Sequence, residues 1–409
     1  KIFGQKIFIT YGEHDMAENI VHLVLARVVG APEGVKGISL FVVPKFMVGK
    51  DGALGARNDA HCVSIEHKLG IKASPTAVLQ FGDHGGAVGY IVGQENRGLE
   101  YMFIMMNAAR YAVGMQGIAV AERSYQQAVA YAKDRVQSRP VDGSIQASAP
   151  IIHHPDVKRM LMTMRAYTEG CRAMASVAAA AYDAAHHHPD ADVRKQNAAF
   201  YEFMVPLVKG YSTEMSLEVT SLGVQVHGGM GFIEETGAAQ HYRDAKILTI
   251  YEGTTAIQAN DLVGRKTARD GGQTAKAIAA QIEVTEKALT ASGTDAAKGV
   301  AKRLTAARKA LVDVIEFVAG NTKASPNAVF AGSVPYLMLA GNVVAGWQLA
   351  RALLVAEELA AKGEDKAFME AKIVTARFYA DHILSKAPGI RDSIVEGADS
   401  VTALALEAF

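Results

Sequence analysis

The sequence predicts a mainly α-helical protein with a smaller β domain at its start, and three observations carry that reading. Residues 1 to about 85 are short β-branched runs set between Gly and Pro turns. From Gly98 onward apolar residues recur at helical spacing, as at Tyr101, Ile104, Met105 and Ala108. Beyond Gly271 the helical habit continues to the last residue, Phe409.

The strand candidates are KIFGQKIFIT, where Ile2, Ile7 and Ile9 alternate with polar positions, then NIVHLVLARVVG, GISLFVVPKF and TAVLQFGD. Strands at this spacing without long helices between them suggest an antiparallel barrel or sandwich piece. A first long helix is expected from Gly98 to Arg139, and a second over VKRMLMTMRAYTEGCRAMASVAAAAYDAA. A third is expected over 193–223, with a shorter one after YEGTTAIQ. Four further helical stripes after Gly271 are expected to pack as an antiparallel bundle. The expected division is a β domain over 1–90, a helical bundle over 91–270 and a helical extension over 271–409.

Lys and Arg together number 42, as do Asp and Glu, so no global field favours nucleic acid or an anionic membrane. No uninterrupted apolar stretch reaches the roughly 20 residues that a spanning helix needs, and no membrane span is expected. Cys62 and Cys171 stand in unrelated contexts, which points to a reducing, cytoplasmic compartment without disulfides. The chain opens without Met and already alternates like a strand, so it is expected to be cut from a longer protein.

Several short segments bear on chemistry. QVHGGMGF, Gln225 to Phe232, is a Gly-rich turn that can let a backbone approach a phosphate or let two helices touch. It is neither GxGxxG after a strand nor a Walker sequence. Three adjacent histidines, His186 to His188, cannot share one helix face, so they read as a polar helix end and no metal is expected. Arg135 and Arg139 stand at the end of the first helix, where cations suit the dipole. Glu252, in ILTIYEGTTAIQ, is a lone acid beside a tyrosine and a small-residue turn. The residues alone leave two readings of it open: a helix cap aided by Thr254, or a base.

Taken together and in this order, the segments resemble the acyl-CoA dehydrogenase family. They are GQKIFIT at 4–10, HKLGIKASPT at 67–76, GQENRGLEYMF at 93–103, YAKDR at 131–135, QVHGGMGF, and RDAKILTIYEGTTAIQ. The longer stretch from MMNAARYAVGMQGIAV to VQSR, with EGTTAIQANDLVGRK, is similar to a larger branch that includes 3-methylmercaptopropionyl-CoA and long-chain dehydrogenases. That branch carries an extra helical domain after the core, which matches 272–409. The resemblance implies the family fold, here without its N-terminal helical domain. It also implies FAD as cofactor and oxidation of an acyl-CoA thioester to the trans-2-enoyl-CoA.

By the same resemblance Glu252 is the catalytic base, kept basic by apolar neighbours such as Ile250. Tyr251 and Gly253 beside it fall at the substrate, Gly253 leaving room for the acyl chain, and Arg110 matches an arginine near the CoA and acyl site. Thr10 matches the threonine that hydrogen-bonds the flavin ring, and Phe8 stands where many members have a stacking Trp. Thr254 matches a contact to the FAD pyrophosphate. Gln225 and Gly229 match positions at the adenine end of FAD in an adjoining subunit. Arg135 matches the arginine that reaches a neighbour's FAD phosphates, so a homodimer or dimer of dimers is implied. Ser138 and Ala256 depart from the family's usual Phe and Gln. The implied electron acceptor is an electron-transfer flavoprotein. Two alternatives stand beside this: an acyl-CoA oxidase, and a flavin-carrying, nucleic-acid-binding relative of the alkylation-response type.

Overall fold

The computed structural model describes residues 1–409, which divide into two compact units, Lys1–Ala109 and Arg110–Phe409. In the first, β1 (Gly4–Thr10), β2 (Val21–Arg27), β3 (Ile38–Pro44), β4 (Phe46–Val48), β5 (Leu54–Arg57), β6 (Ala60–Ile65), β7 (Thr76–Phe81) and β8 (Tyr90–Ile91) follow in chain order. They form antiparallel sheets ordered β1-β7-β6 and β2-β3-β8, with β4 and β5 paired alone. Ile2, Val24, Val43, Ala77, Leu79 and Phe81 fill the core of this unit. The sequence pattern announced β1, β2, β3 and β7. It did not announce β4, β5, β6 and β8, which are two to six residues long and too short for alternation to register.

β1 departs from simple alternation in a way that matters for function. Its register against β7 slips between Lys6 and Ile9, and Phe8 takes φ +59. A bulge of this kind re-aims a side chain. Here it leaves Ile7 and Phe8 exposed, where strict alternation had expected Ile7 beside the core.

The helices are α1 (Gly98–Asp134), α2 (Pro155–His187), α3 (Ala191–Pro206), α4 (Ser212–His227), α5 (Ala238–Lys246), α6 (Thr255–Asp261), α7 (Gln273–Ser292), α8 (Asp295–Asn321), α9 (Pro326–Ala331), α10 (Ser333–Ala361), α11 (Lys366–His382), α12 (Ala387–Val395) and α13 (Ala398–Thr402). α1 ends at Asp134 rather than Arg139, so Arg135 lies in the connection that follows, where Val136 bridges Pro150. Pro155 opens α2, as its missing N–H allows. The Asp190 carboxylate caps α3 by accepting from Asp192 N at 2.8 Å.

The third expected helix is two helices joined by a π-turn, Leu207–Tyr211. Pro206 ends α3 without an amide to donate, and the ladder widens just after it. All five residues of the turn are buried, including Lys209.

The helices on either side of residue 271 share one hydrophobic core running from Ile118 to Ile394. Its centre is α10, which packs on α2, α6, α8, α11 and the π-turn. By length and composition α10 could cross a membrane, but most of it is buried inside this unit. An all-round apolar helix is what the middle of a large bundle requires.

Candidate active site

The residues around Glu252 form a tight turn between the single helical turn Ile247–Thr249 and α6. Thr254 caps α6, its hydroxyl accepting from Ile257 N at 3.3 Å. The cap is therefore supplied without Glu252, and the capping reading of that acid falls away. Glu252 instead takes φ +55, a left-handed backbone that costs a non-glycine residue on the order of 1 kcal/mol or more. Gly253 follows at φ +90, where an added Cβ would press on Gln258 and Ile257.

Such a backbone persists only if its surroundings over-determine it. The Lys209 ammonium donates to Gly253 O at 2.6 Å, and the Gln258 amide donates to Glu252 O and Gly253 O, each at 3.2 Å. The Thr255 hydroxyl donates to the Glu214 carboxylate, and the Tyr251 hydroxyl to the Gln116 side chain. Sequence reasoning assigned no role to Lys209 or Gln258. The signal for Lys209 was present as a lone cation inside the apolar run FMVPLVKGY, since lysine is almost never buried without a reason.

Burial pulls the Lys209 ammonium down to about 8, opposed by Glu214 and Glu252 and reinforced by Arg110. Its ordinary value is 10.5, so between about 8 and 10.5 this side chain holds more proton in the unfolded chain than in the folded one, and its own contribution to stability rises with pH across that window. Chemical denaturation of wild type and Lys209→Met side by side is expected to show the difference between them move in favour of the wild type from pH 8 to 10.5, since the variant buries no ammonium.

Arg110 lies on α1, 3% exposed, and donates to Asp261 Oδ2 at 3.2 Å. Arg265 holds the other Asp261 oxygen at 2.6 Å. Burial lowers the Arg110 guanidinium despite Asp261, and Glu252 lies within its field. Arg110 is thus an ion-paired interior group, and its Nε is buried without a partner. Glu252 and Ile250 are both exposed, so the apolar wall expected around the base is not made by these neighbours. Burial raises the Tyr251 hydroxyl, against its bond to Gln116 and together with the nearby Glu252.

A second grouping forms a cleft of about 470 Å³ where α1 ends and α4 gives way to its glycine turn. Arg135, Gln137, Tyr131, His227, Gly229 and Met230 are among its walls. The His227 ring stacks on Tyr131 at 4.4 Å between centroids, and its Nδ1 lies 2.7 Å from Gly223 O. Gly228 takes φ +59 and no side chain stands within 4 Å of a Cβ at Gly229, so the backbone there is open. Gln225 sits exposed on the last turn of α4 and does not line the cleft. Phe8 and Thr10 belong to the first unit, exposed on β1.

Residues 96–266 match the family model described as acyl-CoA dehydrogenase, C-terminal domain, and residues 274–405 one described as acetyl-CoA dehydrogenase C-terminal like. A 3-methylmercaptopropionyl-CoA dehydrogenase of Ruegeria pomeroyi is 56% identical over 99% of this chain and 68% of its own length. The chain belongs to the acyl-CoA dehydrogenase family.

A broad-specificity linear acyl-CoA dehydrogenase of Mycobacterium tuberculosis is 38% identical over 98% of this family member and 67% of its own length. The chain thus spans about two thirds of the length of these curated relatives. Among solved structures, an acyl-CoA dehydrogenase of Bacillus anthracis complexed with FAD superposes with a TM-score of 0.74 at 20% identity, over 98% of this chain and 65% of that one. Caenorhabditis elegans ACDH-11 in complex with C11-CoA gives 0.70 at 20% identity, over 92% and 60%. At such identities the likeness concerns the fold.

The residues present in this acyl-CoA dehydrogenase chain fit a flavin dinucleotide. The bulge at Phe8 turns a bulky aromatic ring outward at a backbone cost, with Thr10 two residues further along β1. The α1–α4 cleft pairs a cation, Arg135, that no carboxylate of the chain neutralises, with a glycine backbone free of side chains. In the first unit the aromatic plane and the hydroxyl suit a flavin ring, and in the second the cation and open backbone suit a phosphate.

Proposed function

We propose that the chain is the catalytic portion of an FAD-dependent acyl-CoA dehydrogenase that converts an acyl-CoA thioester to its trans-2-enoyl-CoA. The observation that carries this reading is the Glu252 turn: an acid relieved of capping by Thr254, held in left-handed backbone and left exposed. A residue kept in a costly conformation with its carboxylate free is placed for use. Glu252 removes the α-proton of the thioester, which is weakly acidic and needs a carboxylate out of bulk water. Since this chain leaves Glu252 exposed, the bound acyl-CoA itself supplies that desolvation.

The Glu252 backbone N–H offers a donor for the thioester oxygen as negative charge develops there. FAD, when bound, supplies the acceptor for the β-hydride. Phe8 and Thr10 would hold its ring system and Thr254 its pyrophosphate, while Arg135, Gln225 and Gly229 would serve the nucleotide end of a neighbouring subunit's FAD in a homodimer. Tyr251 and Gly253 border the acyl chain, and Arg110 acts from the interior through its ion pair with Asp261. Electrons leave to an electron-transfer flavoprotein. Support for a short acyl group comes from the Ruegeria relative and from a butyryl-CoA dehydrogenase of Syntrophomonas wolfei, 36% identical over 95% of this chain and 64% of its own.

The test is product analysis by mass spectrometry of the FAD-loaded protein given 3-methylmercaptopropionyl-CoA or butyryl-CoA. With electron-transfer flavoprotein present, a product lighter by two hydrogens is expected. Product formed equally fast with dissolved oxygen alone would make the protein an oxidase instead.

A further inference from the structure

Lys209 is fully buried in the π-turn, yet its ammonium reaches the turn that bears Glu252 and donates to Gly253 O at 2.6 Å. No carboxylate lies in salt-bridge contact with it; the charged groups that face it are Glu214 on α4, Arg110 on α1, and Glu252 itself. A buried cation without a directly bonded acid is costly to a fold. Stability does not explain this residue.

Its geometry does. The one carbonyl it grips belongs to the residue after Glu252, and Gln258 from α6 grips that carbonyl and the Glu252 carbonyl together. Two side chains from two different elements therefore converge on two successive peptides, at the place where the chain turns through left-handed backbone. Freed from that grip, Glu252 would relax towards the right-handed or extended backbone that non-glycine residues prefer. Its carboxylate and its N–H would then both change direction.

We propose that Lys209 is a positioning residue for proton abstraction, holding the Glu252–Gly253 peptides with Gln258 so that the base carboxylate and the Glu252 N–H keep one orientation. This rests on the reading of Glu252 as the base. Being buried, Lys209 touches neither substrate nor cofactor and acts only through the turn. Its π-turn is seated in turn by α10: the Tyr211 hydroxyl donates to Asn342 Oδ1 at 2.8 Å and meets the Tyr379 hydroxyl at 2.9 Å. The C-terminal helices thus have a part in fixing the base.

The test compares wild type, Lys209→Met, Gln258→Met and Glu252→Gln. Anaerobic flavin bleaching is measured at saturating acyl-CoA, acyl-CoA affinity by titration, and amide hydrogen exchange over residues 247–258 without ligand. For Lys209→Met the bleaching rate should fall about ten-fold or more while affinity changes less than about three-fold, the split expected when orientation rather than binding is lost. Exchange over 247–258 should rise, and the same changes are expected for Gln258→Met. A folded Lys209→Met that bleaches at the wild-type rate with unchanged exchange overturns the proposal. If that variant does not fold, Gln258→Met decides the matter by the same two readouts. Glu252→Gln bleaching at the wild-type rate would remove the reading of the base instead, which separates the two failures.

Discussion

Glu252→Gln is expected to keep the fold, bind FAD and acyl-CoA, and lose about 100- to 10,000-fold in the rate of flavin reduction, the range that a positioned general base supplies. Glutamine occupies the same volume and takes the same left-handed backbone with the same penalty, so the turn at φ +55 does not gain or lose strain. Glu252 is exposed, so the exchange leaves no buried group unsatisfied. The cap of α6 is untouched because Thr254 supplies it. Only the proton-accepting oxygen is gone. Thermal unfolding should therefore coincide for the two proteins while stopped-flow reduction separates them.

Gly341→Ala is expected to be the most damaging conservative change in the C-terminal helices. A methyl group at 341 would overlap the ring of Tyr211, whose side chain is fully buried. The ring cannot yield without surrendering its bonds to Asn342 and Tyr379, both interior. Overpacking together with unmade buried hydrogen bonds puts the loss at about 3 kcal/mol or more. Gly320 is also helical but has open space around its Cβ direction, so Gly320→Ala should be neutral or stabilising by up to ~1 kcal/mol. Denaturant unfolding of the pair distinguishes a clash from a general effect of adding a methyl. Because Tyr211 belongs to the same π-turn as Lys209, Gly341→Ala should slow flavin reduction as well.

Long periodic elements were legible in the sequence because burial of one face leaves a mark every three or four residues. That is why α2, α8 and α10 could be placed from their apolar residues. The partner of each face left no such mark. Ala340, Val343 and Val344 announce a buried stripe but not that it shares a core with Tyr211 and Leu207, so the helices after residue 271 read as an appendage when they are continuous with those before it. The π-turn was invisible for a related reason. Pro206 signals a break, but a break inside a continuing helix depends on what packs around it.

At the site, the residues alone could not decide whether Glu252 was a cap or a base. Threonine and glutamate both serve near a helix start, and only the folded chain shows that Thr254 reaches Ile257 N while Glu252 takes left-handed backbone. Lys209 and Gln258 are 43 and six residues from Glu252, and only the folded chain brings their donors to one pair of carbonyls. The resemblance to a family located the acid. It said nothing of what holds the acid in place.

The most direct measurement is anaerobic mixing of the FAD-loaded protein with a panel of acyl-CoAs while following the flavin absorbance. Bleaching by at least one short acyl-CoA, with the matching enoyl-CoA recovered, is the result expected here. A protein that holds FAD, binds acyl-CoA and is bleached by none of them would contradict the assignment of Glu252 and the dehydrogenation it serves.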